Sequence, residues 1–487
     1  MNKLFTFLAT IILTSQFALH SQTQIGQDID GDMGSNSGSV VSINDDGSIL
    51  AIDEIFFNGN TGRVRVFQLN GGTWIQIGQD IEGEATGDVS GASISLNGDG
   101  SIVAIGAPGN DGNGNNAGHV RVYQYNGNNW LQLGQDIDGE AAEDQSHFSS
   151  LSSDGTILAI GAGGNDGNGP PNTGHVRVYQ YDGNNWIQLG QDINGEVTQD
   201  RAQSVSVNGN GSIVAIGARF NDGNGSNSGH VRVYQFDGNI WIQQGQDIDG
   251  EAADDESGGE LSVNNDGTVV AIGAPLNDGN GFESGHVRVY QYDGNSWTQL
   301  GQDIDGEAME DQSDAVSINN NGSIVAIGAS LNDGNGNLSG HARIYQYNGT
   351  SWVQRGQDID GEATDDFSGT SISLNGDGSI VAIGAPLNDG NGSNSGHVRV
   401  YDLSGILSIE TISNELNITL YPNPANDYVN INGVTTELFL RVYDVLGKEV
   451  LTANVTNRID VRSLKSGTYF VILSDGNKTS THKFVKN

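Results

Sequence analysis

The chain has 487 residues, 72 of them glycine and none cysteine, which excludes disulfide scaffolds and thiolate metal centres and leaves length for more than one domain. Its net charge is −40, and residues 22–404 hold 52 acids against 11 bases, all of them arginine. Such a surface repels nucleic acid and anionic membranes and attracts cations or basic partners.

Residues 1–21 set Lys3 before the apolar run LFTFLATIILTSQFAL. This reads as a secretory signal peptide cleaved at Ser21, because the run is short and no stop-transfer segment follows it. From Gln22 onward the word GQDI recurs at residues 26, 78, 134, 190, 245, 301 and 356. A period near 55 suits one four-stranded propeller blade.

One copy shows the four strands. GASISLN (91–97) alternates, GDG turns the chain into SIVAIGAP (101–108), and the loop GNDGNGNNAG leads to HVRVYQY (119–125). A short NGNN turn then opens WLQLGQDI (130–137). The last copy has its first three strands but no fourth after Leu403, whereas TQIGQDI (23–29) is a fourth strand without a blade. The expected architecture is all-β: residues 22–404 form a seven-bladed β-propeller closed by the N-terminal strand, which leaves few exposed sheet edges.

Residues such as SGTSISLNGDGSIVAIGAPLNDGNGSNSGHVRVY (368–401) resemble the integrin-α-like FG-GAP propeller repeat, whose members are mainly cell-surface binding modules. That resemblance implies calcium in the first hairpin turn, at the positions of Ser95, Asn97, Asp99, Gly100 and Val103. The first and last acids of the family's loop are absent here, so the turn reads as a plain hairpin.

Residues 405–416 read as a linker, and 417–487 as a small C-terminal β-sandwich of alternating strands. The latter closely resembles the type A C-terminal sorting domain of the type IX (Por) secretion system. The resemblance rests on Tyr421, Pro422, Asn423, Pro424, Asp427, Asp444, Gly447, Leu464, Gly467 and Tyr469, with Lys483 and Lys486 at the end. It implies contact with the type IX machinery, export across an outer membrane and removal of the domain. The propeller is then released or tethered at the cell surface; it is not a transmembrane protein.

With strands running alternately up and down, the second–third and fourth–first connections share one face. The fourth–first word DxDGE supplies most of its acids, and calcium is the candidate cofactor there. The candidate ligands are Asp136, Asp138 and Glu140; Asp247, Asp249 and Glu251; Asp303, Asp305 and Glu307; and Asp358, Asp360 and Glu362. The histidine opening each third strand (His119, His175, His230, His286, His341, His397) reads as structural, because equivalent atoms on neighbouring blades are too far apart to share a zinc ion.

Catalysis needs one constellation rather than seven equal ones, and no Ser-His-Asp order or HExxH word appears. The first copy departs most, with Asp53-Glu54 and then Phe56-Phe57, the candidate partner contacts. The expected function is a non-enzymatic, secreted or surface-tethered, adhesin-like module that binds an extracellular protein or glycan through its acidic face. The alternative is a carbohydrate-binding or carbohydrate-active propeller that uses the rim tryptophans or the central channel.

Overall fold

The structure is a computed structural model that describes residues 21–166, 171–407, 418–433, 437–445, 447–474 and 479–487. The signal peptide, apart from Ser21, and most of the expected linker lie outside the described residues. The chain divides into two units, residues 1–407 and 408–487. Among the described residues no helix is long and apolar enough to cross a membrane.

Among the described residues the first unit is built from seven antiparallel sheets, each with four strand positions. In one of them Ser93–Leu96 pairs with Ile102–Ala107, which pairs with His119–Tyr125. The outermost position is filled by Trp130–Gln132 and Ile137–Asp138, split around the GQD word. Gly134 makes that split: its φ is +79°, and a Cβ there would lie 2.9 Å from the Trp186 ring of the next blade. The second strands are buried on both faces, which is why VAIGA reads as a continuous apolar run rather than an alternation.

Two rings of hydrogen bonds join the blades around the axis. Asp45, Gly98, Ser153, Gly209, Asn265, Asn320 and Gly376 each donate a backbone N–H to the carbonyl of the next, and Gly376 returns to Asp45, at 2.8–3.1 Å. A second ring uses first-strand serines. Ser42 Oγ accepts from Leu96 N, Ser95 Oγ from Leu151 N and Ser150 Oγ from Val207 N. The series continues through Ser206, Ser262 and Ser317 and closes with Ser373 Oγ accepting from Ile43 N. The seventh sheet therefore abuts the first.

The N-terminal segment completes that seventh sheet. Thr23 and Gln24 pair with Asp402 and Tyr401, and Ile29 and Asp30 pair with Val398 and His397. Ile29 is buried against Val41, Ile43, Leu50 and Ile52 of the first blade and Val398 and Val400 of the last.

At the rim each tryptophan is buried at a seam. Trp130 Nε1 donates to the carbonyl of Ile77 in the preceding blade, and the Gln79 side chain bonds both backbone groups of Trp130. Tyr125 packs on its ring at 5.2 Å. The expectation that rim tryptophans could stack sugars is corrected: they are spent on blade-to-blade packing. Trp74 is fastened in the same way to Ile25 and Gln27 of the N-terminal strand.

The first unit extends past the expected boundary at 404. Ser404–Leu407 forms a helical turn, and Ile406 is buried against Leu403 and Ile383, so these residues belong to the last blade rather than to a linker. The second unit has a three-stranded sheet (Thr419–Tyr421, Tyr428–Asn432, Arg458–Asp460) and a four-stranded sheet (Leu438–Asp444, Glu449–Val455, Gly467–Ser474, Thr479–Lys486). One core containing Val429, Leu440, Val471 and Phe484 lies between them, which makes it a β-sandwich.

Candidate functional site

The second–third and fourth–first loops lie together on one face. Asn113 donates its side-chain amide to the carbonyls of Gly139 and Glu140, and Asn224, Asn280 and Asn335 repeat the contact. Several acids of this face are structural. Asp144 is 2% exposed, and its Oδ2 accepts from Glu140 N, Ala141 N and the Asn165 amide. Asp366 holds its own loop in the same way. Asp111 Oδ1 accepts from Asn116 N, so the NDGNG word is folded on itself.

Other acids stand exposed at the loop tips, each at a residue with positive φ: Glu143 and Asp254, which accept from the Asn115 and Asn227 amides, and Glu310 and Asp365. Apolar side chains stand out among them. Met33, Phe56, Phe282 and Met309 are 74%, 43%, 56% and 61% exposed. Phe56 is thus accessible, as expected of a contact residue. Phe57 is only half-buried and lies 4.0 Å from the Arg63 guanidinium, so it is engaged within the fold. Phe282 and Met309 were missed in the sequence; the usable signal is that Phe282 is large where most other copies carry Ser or Asn, and Met309 where most carry Ala or Thr.

The carboxylates of one DxDGE word do not converge on one centre. Asp136 gathers with Glu84 and His119, whereas Glu140 gathers with His175 and Asp192, the donor atoms of each group lying within 4.8 Å of one another. Asp138 faces His119, its Oδ1 3.9 Å from Nδ1. Likewise Asp247 stands with Glu196 and His230, while Glu251 stands with His286 and Asp303. Glu362 meets His397 and Asp28, the last supplied by the N-terminal strand, and Glu307 lies 4.0 Å from His341. Asp358 acts electrostatically on the same His341. Asp249, Asp305 and Asp360 hold the place of Asp138; burial and the neighbouring acid two residues earlier raise them above the usual carboxylate range.

Each seam glutamate is shared. Glu140 Oε1 lies 3.6 Å from Arg177 Nη1, and its Oε2 lies 3.9 Å from His175 Nδ1. Arg177 also donates to the carbonyl of Asp138 at 2.8 Å, which explains the recurrent arginine. Burial first, and then the neighbouring arginine, lower the histidines, with His230, His286 and His397 brought to about 4, so the imidazoles are neutral at pH 7.

The first blade departs from this pattern. Arg63 stands where the other blades carry histidine, and Glu54 where they carry alanine. Arg63 Nη2 lies 2.6 Å from Asp32 and 2.7 Å from Glu54, and Nη1 lies 2.9 Å from Asp80. Arg65 pairs with the other oxygen of Glu54 at 2.5 Å. Asp53 is wholly buried, accepts from Gly38 N and Val40 N, and is pushed up to about 7 by desolvation.

The first hairpin turns hold no ring of carboxylates. Asn97 Oδ1 accepts from Ile102 N and Asp99 Oδ1 from Ser101 N, while Ser95, at the first position of the family's loop, belongs to the serine ring. In the axial channel a cavity of about 180 Å³ is lined in part by Phe148, Ser149, Ser204 and Glu260. Glu260 and Asp314 are both raised to about 7 by their enclosure, and Arg219 opposes the rise. Glu260 is exposed at the channel surface, which weakens the desolvation behind its rise, and Asp314 is half-buried.

In the second unit the YPNP segment is fixed to the last strand. Asn423 donates to the Lys483 carbonyl and accepts from Val485 N, and Ala425 N donates to the Val485 carbonyl. Both Pro422 and Pro424 follow cis peptide bonds. The Asp427 carbonyl accepts from Val461 N, and Gly447, at φ +78°, donates to the Asp444 carbonyl to close a turn. Gly467 opens the strand that carries Tyr469, whose hydroxyl donates to the Lys465 carbonyl and whose ring stacks on Phe484. Tyr421 and Lys483 are exposed, and Lys486 is half-buried.

Residues 419–487 match the family described as the secretion system C-terminal sorting domain. The C-terminal unit belongs to that family. The sorting domain marks the protein for type IX export to the cell surface or extracellular space, with cleavage of the tail. Residues 357–401 match the FG-GAP repeat. No curated protein sequence matches the chain. Solved structures with a similar arrangement include Kuenenia stuttgartiensis hydrazine synthase, at 12% identity over 74% of this chain and 94% of that one, with a TM-score of 0.47. Another is the periplasmic gluconolactonase of Pseudomonas aeruginosa, at 15% identity over 86% and 94%, with a TM-score of 0.46. At such identities and TM-scores neither likeness bears on what this chain does.

Proposed function

We propose that the exported propeller is a non-enzymatic, adhesin-like module that captures a basic extracellular partner through the face bearing the second–third and fourth–first loops. The observation that carries this reading is the composition of that face. Exposed acids at the loop tips (Glu143, Asp254, Glu310, Asp365) supply long-range attraction, and isolated apolar side chains (Met33, Phe56, Phe282, Met309) supply contact area. Seven near-equal blades suit repeated weak contacts better than one reaction centre.

A poly-L-lysine surface is a suitable probe of the face. Neutralising Glu143, Asp254, Glu310 and Asp365 as Gln or Asn should lower retention at least about threefold at low salt. Neutralising Asp99, Asp182, Asp237 and Asp293, on turns of the opposite face, should leave it unchanged. Equal loss from both sets overturns the assignment of the face.

A carbohydrate-active propeller is favoured by one observation, the pair Glu260 and Asp314 with raised pKa values inside the channel. Under that reading polysaccharide turnover is abolished by Glu260→Gln; under the preferred reading there is no turnover to abolish.

A further inference from the structure

We propose that the histidine-bearing blade seams bind a divalent metal ion of the zinc class, through one imidazole nitrogen and two carboxylates drawn from two consecutive blades. The inference is independent of the partner-binding reading above. Five groups have the same composition, among them Glu84–His119–Asp136, Glu140–His175–Asp192 and Glu251–His286–Asp303. In each the glutamate comes from the loop leaving one blade, and the histidine and aspartate from the third and outermost strand positions of the next.

Two observations beyond the clustering of acids point to a ligand. The imidazoles are buried to 1% exposure, and neither ring nitrogen of His175 or of His286 has a hydrogen-bond partner. A buried polar group without a partner is costly, and here Nδ1 of His175 faces Glu140 Oε2 at 3.9 Å, too far for a hydrogen bond. An ion between them satisfies both.

The second observation is a substitution made by the chain itself. Where histidine is replaced by Arg63, the guanidinium reaches Asp32 and Asp80, the counterparts of Glu84 and Asp136, at 2.6 and 2.9 Å. The first seam thus carries a covalently attached cation where the others present an imidazole to the same pair of carboxylates. Glu54, which has no counterpart in the other blades, balances Arg63 and Arg65.

The donor set selects the class of ion. A mixed set of one imidazole and two carboxylates suits zinc and its neighbours, whereas calcium takes six to eight hard oxygens. The half-exposed glutamate is the arm that closes onto the ion, with water completing the shell. Bound metal would staple each blade to its predecessor and raise stability by linkage.

The test uses the full chain, free of any affinity tag and stripped with EDTA. Zinc chloride is added, and bound ions are counted by native mass spectrometry beside a thermal unfolding scan, with calcium and magnesium chloride as comparators. The expected result is one zinc ion per histidine-bearing seam and a rise in melting temperature of several degrees that calcium does not reproduce. His175→Gln/His286→Gln should bind two fewer ions while keeping the far-ultraviolet spectrum of the parent. Glu54→Ala/Arg63→His, which restores the common pattern to the first seam, should bind one more; if it does not fold, the glutamine variant decides. No retained zinc, an unchanged count in the glutamine variant, or an equal count with calcium overturns the proposal.

Discussion

Ile29→Ala tests whether the N-terminal strand is an integral part of the ring. Ile29 is 3% exposed, pairs with Val398, and contacts the cores of both the first and last blades. Truncating a buried isoleucine to alanine costs about 2–5 kcal/mol, the upper part of the range where the cavity cannot collapse. Collapse is hindered here because backbone pairs flank the site on both sides, Thr23 with Asp402 and Asp30 with His397. The expected loss is therefore about 3 kcal/mol. Ile137, 4% exposed at the same position of an internal blade, serves as the reference. Equilibrium urea unfolding followed by tryptophan fluorescence reads the propeller alone, because all six tryptophans lie between Trp74 and Trp352. If the strand is as well seated as its internal counterparts, Ile29→Ala and Ile137→Ala agree within about 1 kcal/mol. A loss below about 0.5 kcal/mol for Ile29→Ala alone, within the range of a surface substitution, would refute ring closure by this strand.

Three further outcomes are expected. Glu54→Ala leaves Arg65 without its ion-pair partner and removes one of the three held by Arg63, at a cost of about 3–5 kcal/mol by the same urea assay. Trp130→Ala removes a buried ring and its bond to Ile77 and should cost about 3–5 kcal/mol, with no effect on binding to the lysine surface. Asp53 gives a pH dependence. Its carboxyl is protonated in both states below its unfolded value of 3.8 and ionised in both above its folded value of about 7, so the stabilisation present at low pH is lost as pH rises through 7. That gap corresponds to roughly 4 kcal/mol. Asp53→Asn keeps the acceptor for Gly38 N and Val40 N, and urea midpoints from pH 4 to 8 should fall less steeply in this variant than in the parent.

Strand order, the N-terminal fourth strand of the last blade and the sorting domain could be read from the chain because each leaves a local pattern: alternation, Gly and Asn turns, and recurrent words. Placing TQIGQDI at the end of the last blade needed only a count of strands, and the register of Ile29 against Val398 agrees with it. What stayed hidden depends on neighbours distant in sequence. Ser95 resembles any polar residue of an alternating strand until Leu151, 56 residues on, donates to it. The histidines cannot share an ion with one another, but Glu84 and Asp136 arrive at His119 from 35 residues upstream and 17 downstream. The tryptophans look alike whether they face sugar or a neighbouring blade, and only the bond from Trp130 Nε1 to Ile77 decides. Phe56 and Phe57 are adjacent, yet one is exposed and the other lies against Arg63, a distinction set by the tight turn Phe57–Asn60, where Asn58 and Gly59 have positive φ.

The claim that one face meets the partner can be tested directly because the chain has no cysteine. Phe282→Cys and Leu131→Cys, at side chains 56% and 54% exposed on the acidic face and on the outer strand of a blade, can each carry a single maleimide-benzophenone. After the labelled protein is incubated with the outer surface of the secreting cells and irradiated, a discrete cross-linked product is expected from position 282 and none from position 131. Equal cross-linking at both positions, or at 131 alone, would contradict it.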